Sequence, residues 1–204
     1  MKLIVVCNNF ATHNNEELSP LEDIGFPVVH TLADTALLLH GRPFFVPDYA
    51  EPCTATCHLA LRISRLGKCI SERFAHRYYD ALTVAALFRA EGLLRRLSAA
   101  GLPWDVACGF DNAAAIGRFV PVGEADPALT RLSLRLDNAE AAAATTEHAR
   151  FSPDRLVAHV SRYYTLRQGD LIFCGNPAPP VSVAIGQHLT ASLNDQELLS
   201  FNIR

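Results

Sequence analysis

The chain has 204 residues, half of them hydrophobic and 19% charged, with a net charge of −3 and a sequence pI near 6.2. That size and composition support one domain with a sizeable core and exclude global disorder. The mild acidity leaves no basic footprint for nucleic acid and no polybasic patch for a membrane.

The opening run MKLIVVCNNF is too short for a signal-peptide core, and no stretch approaches a membrane span, so a soluble, cytoplasmic protein is expected. Lys2–Cys7 reads as a short strand turned by Asn8-Asn9. Ala11–Leu18 reads as a short polar helix carrying His13 and Glu16, and Pro20 to Gly25 as loop. Phe26–Leu32 is predicted as a second strand, Asp34 as the cap of Thr35–Leu39, and Phe44-Phe45-Val46 as a short extended piece after the Gly41-Arg42-Pro43 turn.

Thr54–Arg65 alternates, with Cys57, Leu59, Leu61 and Ile63 on one face and Thr56, His58, Ala60, Arg62 and Ser64 on the other. After a turn at Leu66-Gly67-Lys68, Ser71 is expected to cap a helix over Glu72–Tyr79. Ala81–Phe88 reads as a buried strand, and Ala90–Ala100 as an amphipathic helix stopped by Gly101 and Pro103. Ala113–Val122 mixes loop and strand. Thr130–Leu136 and Ala139–Thr145 read as strands joined at Asp137-Asn138, and Ser152-Pro153-Asp154 opens a helix running to Tyr164. The chain closes with strands at Leu171–Cys174, Val181–Ile185, Leu189–Leu193 and Glu197–Ile203. Strands dominate and helices are few, which predicts an α+β, mostly β fold built on a large folded sheet.

The six cysteines, Cys7, Cys53, Cys57, Cys69, Cys108 and Cys174, are scattered, and no disulfide framework is expected. A zinc site at Cys53, Cys57 and His58 is disfavoured. In a strand the two sulfurs would stand roughly 13 Å apart, and His58 would point away from Cys57.

Five stretches taken together carry a resemblance. They are Asn9-Phe10-Ala11-Thr12-His13-Asn14-Asn15-Glu16; Ser64-Arg65-Leu66-Gly67-Lys68 with Ile70-Ser71; Gly101-Leu102-Pro103-Trp104 with Gly109-Phe110-Asp111; Leu156–Leu166 with Gly169-Asp170-Leu171-Ile172; and Ile185-Gly186. On these the chain resembles the fumarylacetoacetate hydrolase superfamily, in particular its small bacterial hydroxyhepta-diene-dioate isomerase and acylpyruvate hydrolase-like members. The resemblance implies a central rolled, mixed sheet in a single domain over residues 1–204, with residues 1–50 as an N-terminal lid and strands and 51–204 as a catalytic-type core. It also implies a dimer, Mg²⁺ or Mn²⁺ held by three carboxylates, and chemistry on β-dicarbonyl or enol acids, in which the ion stabilises developing enolate charge.

Carried over by position, the family's Glu-x-Glu falls at Thr56 and His58, and its third carboxylate at Leu87. Its lysine falls at Cys108, its arginine–aspartate pair at Glu91-Gly92, and a glutamine at Leu94. Its substrate loop falls at Gly175-Asn176-Pro177, followed by Pro179-Pro180-Val181. His13-x-x-Glu16 keeps the position of the catalytic dyad, although the same spacing also suits an exposed polar helix. His58, Cys108, Phe110, Asp111, Asn176 and Pro177 would line the substrate pocket. A nucleophilic Cys108 with His13 or His58 as base is conceivable, against the usual inertness of buried thiols.

Two functions follow as expectations. In the first, the chain has lost the metal and the family reaction, needs no cofactor, and binds, regulates or pairs with itself or a paralogue. In the alternative, it is an active hydrolase, isomerase or decarboxylase of acylpyruvate- or oxaloacetate-like acids with a rebuilt site, using Mg²⁺ or Mn²⁺. In either case its ligand would be a small carboxylic acid.

Overall fold

A computed structural model describes residues 1–10, 24–38 and 42–204. The strands are β1 (Leu3–Val6), β2 (Val29–Leu32), β3 (Leu37–Leu38), β4 (Cys53–Ile63), β5 (Tyr79–Ala90), β6 (Ala114–Ile116), β7 (Val120–Pro121), β8 (Arg131–Leu136), β9 (Ala139–Thr145), β10 (Leu171–Phe173), β11 (Val181–Ser182), β12 (His188–Leu193) and β13 (Gln196–Asn202). The helices are α1 (Glu91–Ala99), α2 (Asp105–Cys108) and α3 (Pro153–Tyr163). The fold is mostly β, as expected. No helix among the described residues is long and apolar enough to cross a membrane.

A mixed, curled sheet runs β2-β1-β10-β4-β5-β6-β3, with β11 edging β4 and β7 edging β5. A second, four-stranded sheet runs β13-β12-β8-β9. The long antiparallel pair β4–β5 is the spine of the first sheet, registered from Cys53 opposite Ala90 to Ile63 opposite Tyr79. Both faces of this pair are buried. The Cys57, Leu59, Leu61 and Ile63 face joins the large core with Val84, Ala86 and Phe88, together with Leu132, Leu134 and Leu189 of the second sheet and Leu156 and Val160 of α3. Here the rings of Phe44 and Phe88 stack with centroids 3.6 Å apart.

Alternation alone would leave the opposite face of β4 polar. Instead the curl of the sheet closes that face upon itself. Ala60, Ala85 and Leu87 pack with Leu3, Val5, Leu32, Ala114, Leu171 and Phe173, all on strands of the one sheet. This smaller, inner face carries Thr56 and His58.

Local chemistry sets the ends of the elements. The Ser152 hydroxyl accepts from Arg155 N–H at 3.2 Å and caps α3, with Pro153 in its first turn. Asp137 and Asn138 both take positive φ (49° and 70°), matching the tight turn that joins β8 to β9. The expected helix at Glu72–Tyr79 is instead a 3₁₀ turn over Glu72–Arg77. Tyr79 leaves it to pair with Ile63 at the start of β5, and its hydroxyl donates to Asp154 at 3.0 Å. The Ser71 side chain makes no cap bond; its carbonyl accepts from Phe74 N–H.

Candidate active site

The three positions to which the resemblance carries the metal ligands lie together on the inner face. Thr56 stands opposite Leu87 across the β4–β5 ladder, and His58 is two residues along on the same side. All three side chains are buried, Leu87 to 5% exposure and His58 to 1%. Thr56 Oγ1 lies 3.2 Å from the Leu87 carbonyl, to which it donates, and 2.9 Å from His58 Nε2. A hydroxyl has one hydrogen. With it directed to Leu87 O, whose oxygen can only accept, His58 Nε2 carries the proton and donates to Thr56, and Nδ1 is the bare lone pair; this is the tautomer that buries no unpaired N–H. That Nδ1 is buried and has no hydrogen-bond partner. The ring meets Phe173 edge-on, with centroids 6.3 Å apart.

These residues do not fit a hard divalent ion. Mg²⁺ and Mn²⁺ need several oxygen ligands, whereas this trio offers one engaged hydroxyl, one imidazole and an aliphatic side chain. No group of three or more His, Cys, Asp or Glu converges into a metal site among the described residues. Cys53 and Cys57 face the large core, on the opposite side of β4 from His58, and burial lifts the Cys57 thiol to about 12.

Sequence reasoning missed two residues here. Arg89 lies two positions beyond Leu87 on β5, opposite Thr54, and therefore on the same face. His30, opposite Val5 in the β1–β2 ladder, brings a second imidazole. Its Nδ1 is also buried without a partner, and its ring meets Trp104 nearly edge-on at 4.9 Å. Burial lowers the His30 pKa to about 4, with the Arg89 charge adding to that shift and Asp105 opposing it. Burial likewise holds His58 well below the usual range, reinforced by Arg89 and then His30. The signal was present in the sequence: Arg89 ends an uncharged run from Ala81 to Phe88, and His30 interrupts an apolar one.

The remaining predicted residues spread outward from this cluster. Cys108 ends α2 and is buried; desolvation lifts its thiol to about 11 despite Arg89 pulling it down. It is therefore a thiol and not a thiolate at neutral pH, which argues against a nucleophilic role. Phe110 packs against Phe44 and Tyr49 and helps line a cleft of about 510 Å³ with Leu32, Asp105 and Gly109. Asp111 is exposed.

Gly175 has φ +104°, and an added Cβ would lie 3.0 Å from Asn9 Cβ. Asn9 ties this loop to the end of β1: its Nδ2 donates to the Cys174 carbonyl at 2.7 Å, and its Oδ1 accepts from Phe151 N–H. Asn176, next in the loop, keeps a buried Oδ1 without a partner, and Pro177 follows it. His13 and Glu16, the expected dyad, lie outside the described residues.

The family model described as fumarylacetoacetate (FAA) hydrolase C-terminal matches residues 2–203. The chain is 28% identical to a mitochondrial oxaloacetate tautomerase of Arabidopsis thaliana over 99% of its own length and 90% of that protein. It is 26% identical to an oxaloacetate tautomerase of Escherichia coli K12, over 97% and 90%. Among solved structures, fumarylpyruvate hydrolase from Pseudomonas aeruginosa, in complex with Mn²⁺ and pyruvate, superposes with a TM-score of 0.90. That match covers 100% of this chain and 89% of the other at 22% identity, and so speaks to the fold.

Proposed function

Because the chain belongs to the fumarylacetoacetate hydrolase family, we propose that it is an enzyme acting on the enol and keto forms of small 2-oxo acids of the oxaloacetate type, an isomerase in the sense of a tautomerase. The observation that carries this is the likeness to oxaloacetate tautomerases from end to end of the chain. Of the family's chemistries, tautomerisation asks least of the site. It needs an acceptor for the enol proton, something to hold the acid in place, and a proton for carbon. Hydrolysis would need an activated water as well.

His58 suits the first task. The enol O–H proton passes to Nδ1, directly or through one water. The O–H electron pair becomes the carbonyl π bond, and the C=C pair takes a proton at carbon from water. Hydroxide then recovers the proton from His58. Burial and the nearby Arg89 charge make the imidazole a weak base. A bound dicarboxylate brings negative charge that offsets Arg89 and raises the His58 pKa toward the working range.

As a second reading, the chain is a binding or regulatory protein that pairs with itself or with an active paralogue. Thr56, His58 and Leu87, the positions to which the resemblance carries the metal ligands, supply no carboxylate, and this favours it.

The two separate by following the loss of enol absorbance after dissolving oxaloacetate in buffer containing EDTA. The tautomerase gives a decay faster than buffer alone, slowed at least tenfold in His58→Gln. A decay equal to that in buffer, with or without added Mn²⁺, rejects the enzyme and leaves the second reading.

A further inference from the structure

We propose that Arg89 takes over the role of the divalent ion, so that the inner face is a metal-independent receptor for a small carboxylate, gripped by the guanidinium with the bare nitrogen of His58 beside it. The choice of a carboxylate over other anions rests on the function proposed above.

Position comes first. Arg89 is on the same face as Leu87 and Thr56, about 7 Å along the strand from Leu87, within the span of its own side chain. The second observation is convergence. The Arg89 charge reaches His30 on β2, His58 on β4, Cys108 on α2, and Cys7 just after β1. Groups from separate elements thus share one cation, on the face that the β4–β5 register gives to Arg89.

The third observation is that no described carboxylate holds Arg89. Among the described residues no hydrogen bond or ion pair joins a carboxylate to Arg89. Glu91, the nearest acid in sequence, accepts instead from Thr54 at 3.3 Å and from Arg95 at 3.2 Å. The fourth is the pair of buried ring nitrogens without partners, His58 Nδ1 and His30 Nδ1. The half-buried Arg89 cation acts on two imidazoles held neutral, with Asp105 and Glu91 the acids that act on the same group of side chains. A guanidinium to which none of the described carboxylates is bonded repels a bare dication and attracts an anion. A planar fork of N–H donors matches a carboxylate in two parallel bonds, and the imidazole nitrogens are placed to meet a neighbouring hydroxyl or water.

The test uses Trp104, the chain's single tryptophan, which rests on His30. Oxalate, a planar dianion shaped like an enolate, is titrated into the full chain in EDTA while Trp104 fluorescence is read, with calorimetry in parallel. We expect saturable binding that Mn²⁺ does not tighten, at least tenfold weaker in Arg89→Lys, which keeps the charge and loses the fork, and absent in Arg89→Met. Thermal melts check that each variant is folded, and Arg89→Lys decides the matter if Arg89→Met is not. Binding that requires Mn²⁺, or wild-type affinity in either folded variant, overturns the proposal. Inorganic phosphate binding as tightly as oxalate overturns the carboxylate assignment. Oxalate binding through Arg89 without enol turnover would sink the proposed function and spare this inference; turnover with no loss in Arg89→Met would do the reverse.

Discussion

His58 and His30 are both held neutral by burial and by the Arg89 charge, and this fixes how stability depends on pH. In the unfolded chain each imidazole titrates near its ordinary value of about 6.5. Above that pH both states are neutral and the histidines contribute no slope. Below it the unfolded chain takes up protons that the folded chain refuses, so stability falls as pH falls, until His30 begins to protonate in the fold near about 4. Each histidine contributes a loss of up to about 1.4 kcal/mol per pH unit in that window. Urea midpoints measured from pH 7 to 4.5 should therefore drop steeply in the wild type and less steeply in His30→Gln and His58→Gln. Slopes that stay parallel would show that neither ring is kept neutral. At this scale the alternation of β4 already put Thr56 and His58 on one face, and the ladder sets Leu87 opposite Thr56. Arg89 and His30 were not legible, because no motif position marks them and because ladder register, not sequence spacing, brings β2 to this face.

Among the elements, the junction of β5 with α1 is the tightest. The strand becomes helix with no connecting residue, Glu91 N–H donates to the Pro52 carbonyl at 3.0 Å, and a Cβ at Gly92 would lie 2.5 Å from the Glu51 carbonyl oxygen. Backbone there cannot swing aside as a side chain could. Gly92→Ala should cost about 1–3 kcal/mol in chemical denaturation through overpacking; an unchanged midpoint would mean that the Glu51 turn yields freely. Long strands with regular alternation, β4 above all, could be read from sequence, and so could α3 with its serine cap. The two-residue strand β3 could not, because only its ladder partner, Ala114-Ala115, makes it a strand; β11, expected over Val181–Ile185, pairs only through Val181 and Ser182 with Thr54-Ala55. The Glu72–Tyr79 helix failed for a related reason: the pull of Tyr79 into β5 outweighs local helix propensity.

Across the whole molecule, the buried carboxylate of Asp170 joins the starts of the neighbouring strands β1 and β10, which are far apart in sequence. It accepts from Lys2 N–H at 2.7 Å and Arg167 N–H at 2.8 Å, and pairs with the Lys2 ammonium at 2.6 Å. Asp170→Asn removes the charge and turns a donor amide toward groups that are themselves donors. We expect a loss of about 3 kcal/mol, seen as a lower urea midpoint with little change in oxalate affinity, since Asp170 stands at the start of β10 while the oxalate grip lies on β5. A variant as stable as wild type would show that β1 docks without this anchor. The arrangement of the cores supports such independence. The large cluster unites both sheets and α3, while the site belongs to the smaller inner cluster of one sheet. Polar residues on the inner face can change without dismantling the other.

The pairing of β1 with β10, Leu3 beside Leu171, also bears on how the fold is reached. β1 is made long before β10, so it has no lasting partner on that edge until residue 171 has emerged. The β4–β5 hairpin can zip early from nearby segments, but the sheet is completed only by closing a loop that spans most of the sequence. Such long-range closure comes late and slowly. Until then the Leu3–Val6 segment, apolar throughout, stands open to the wrong partners.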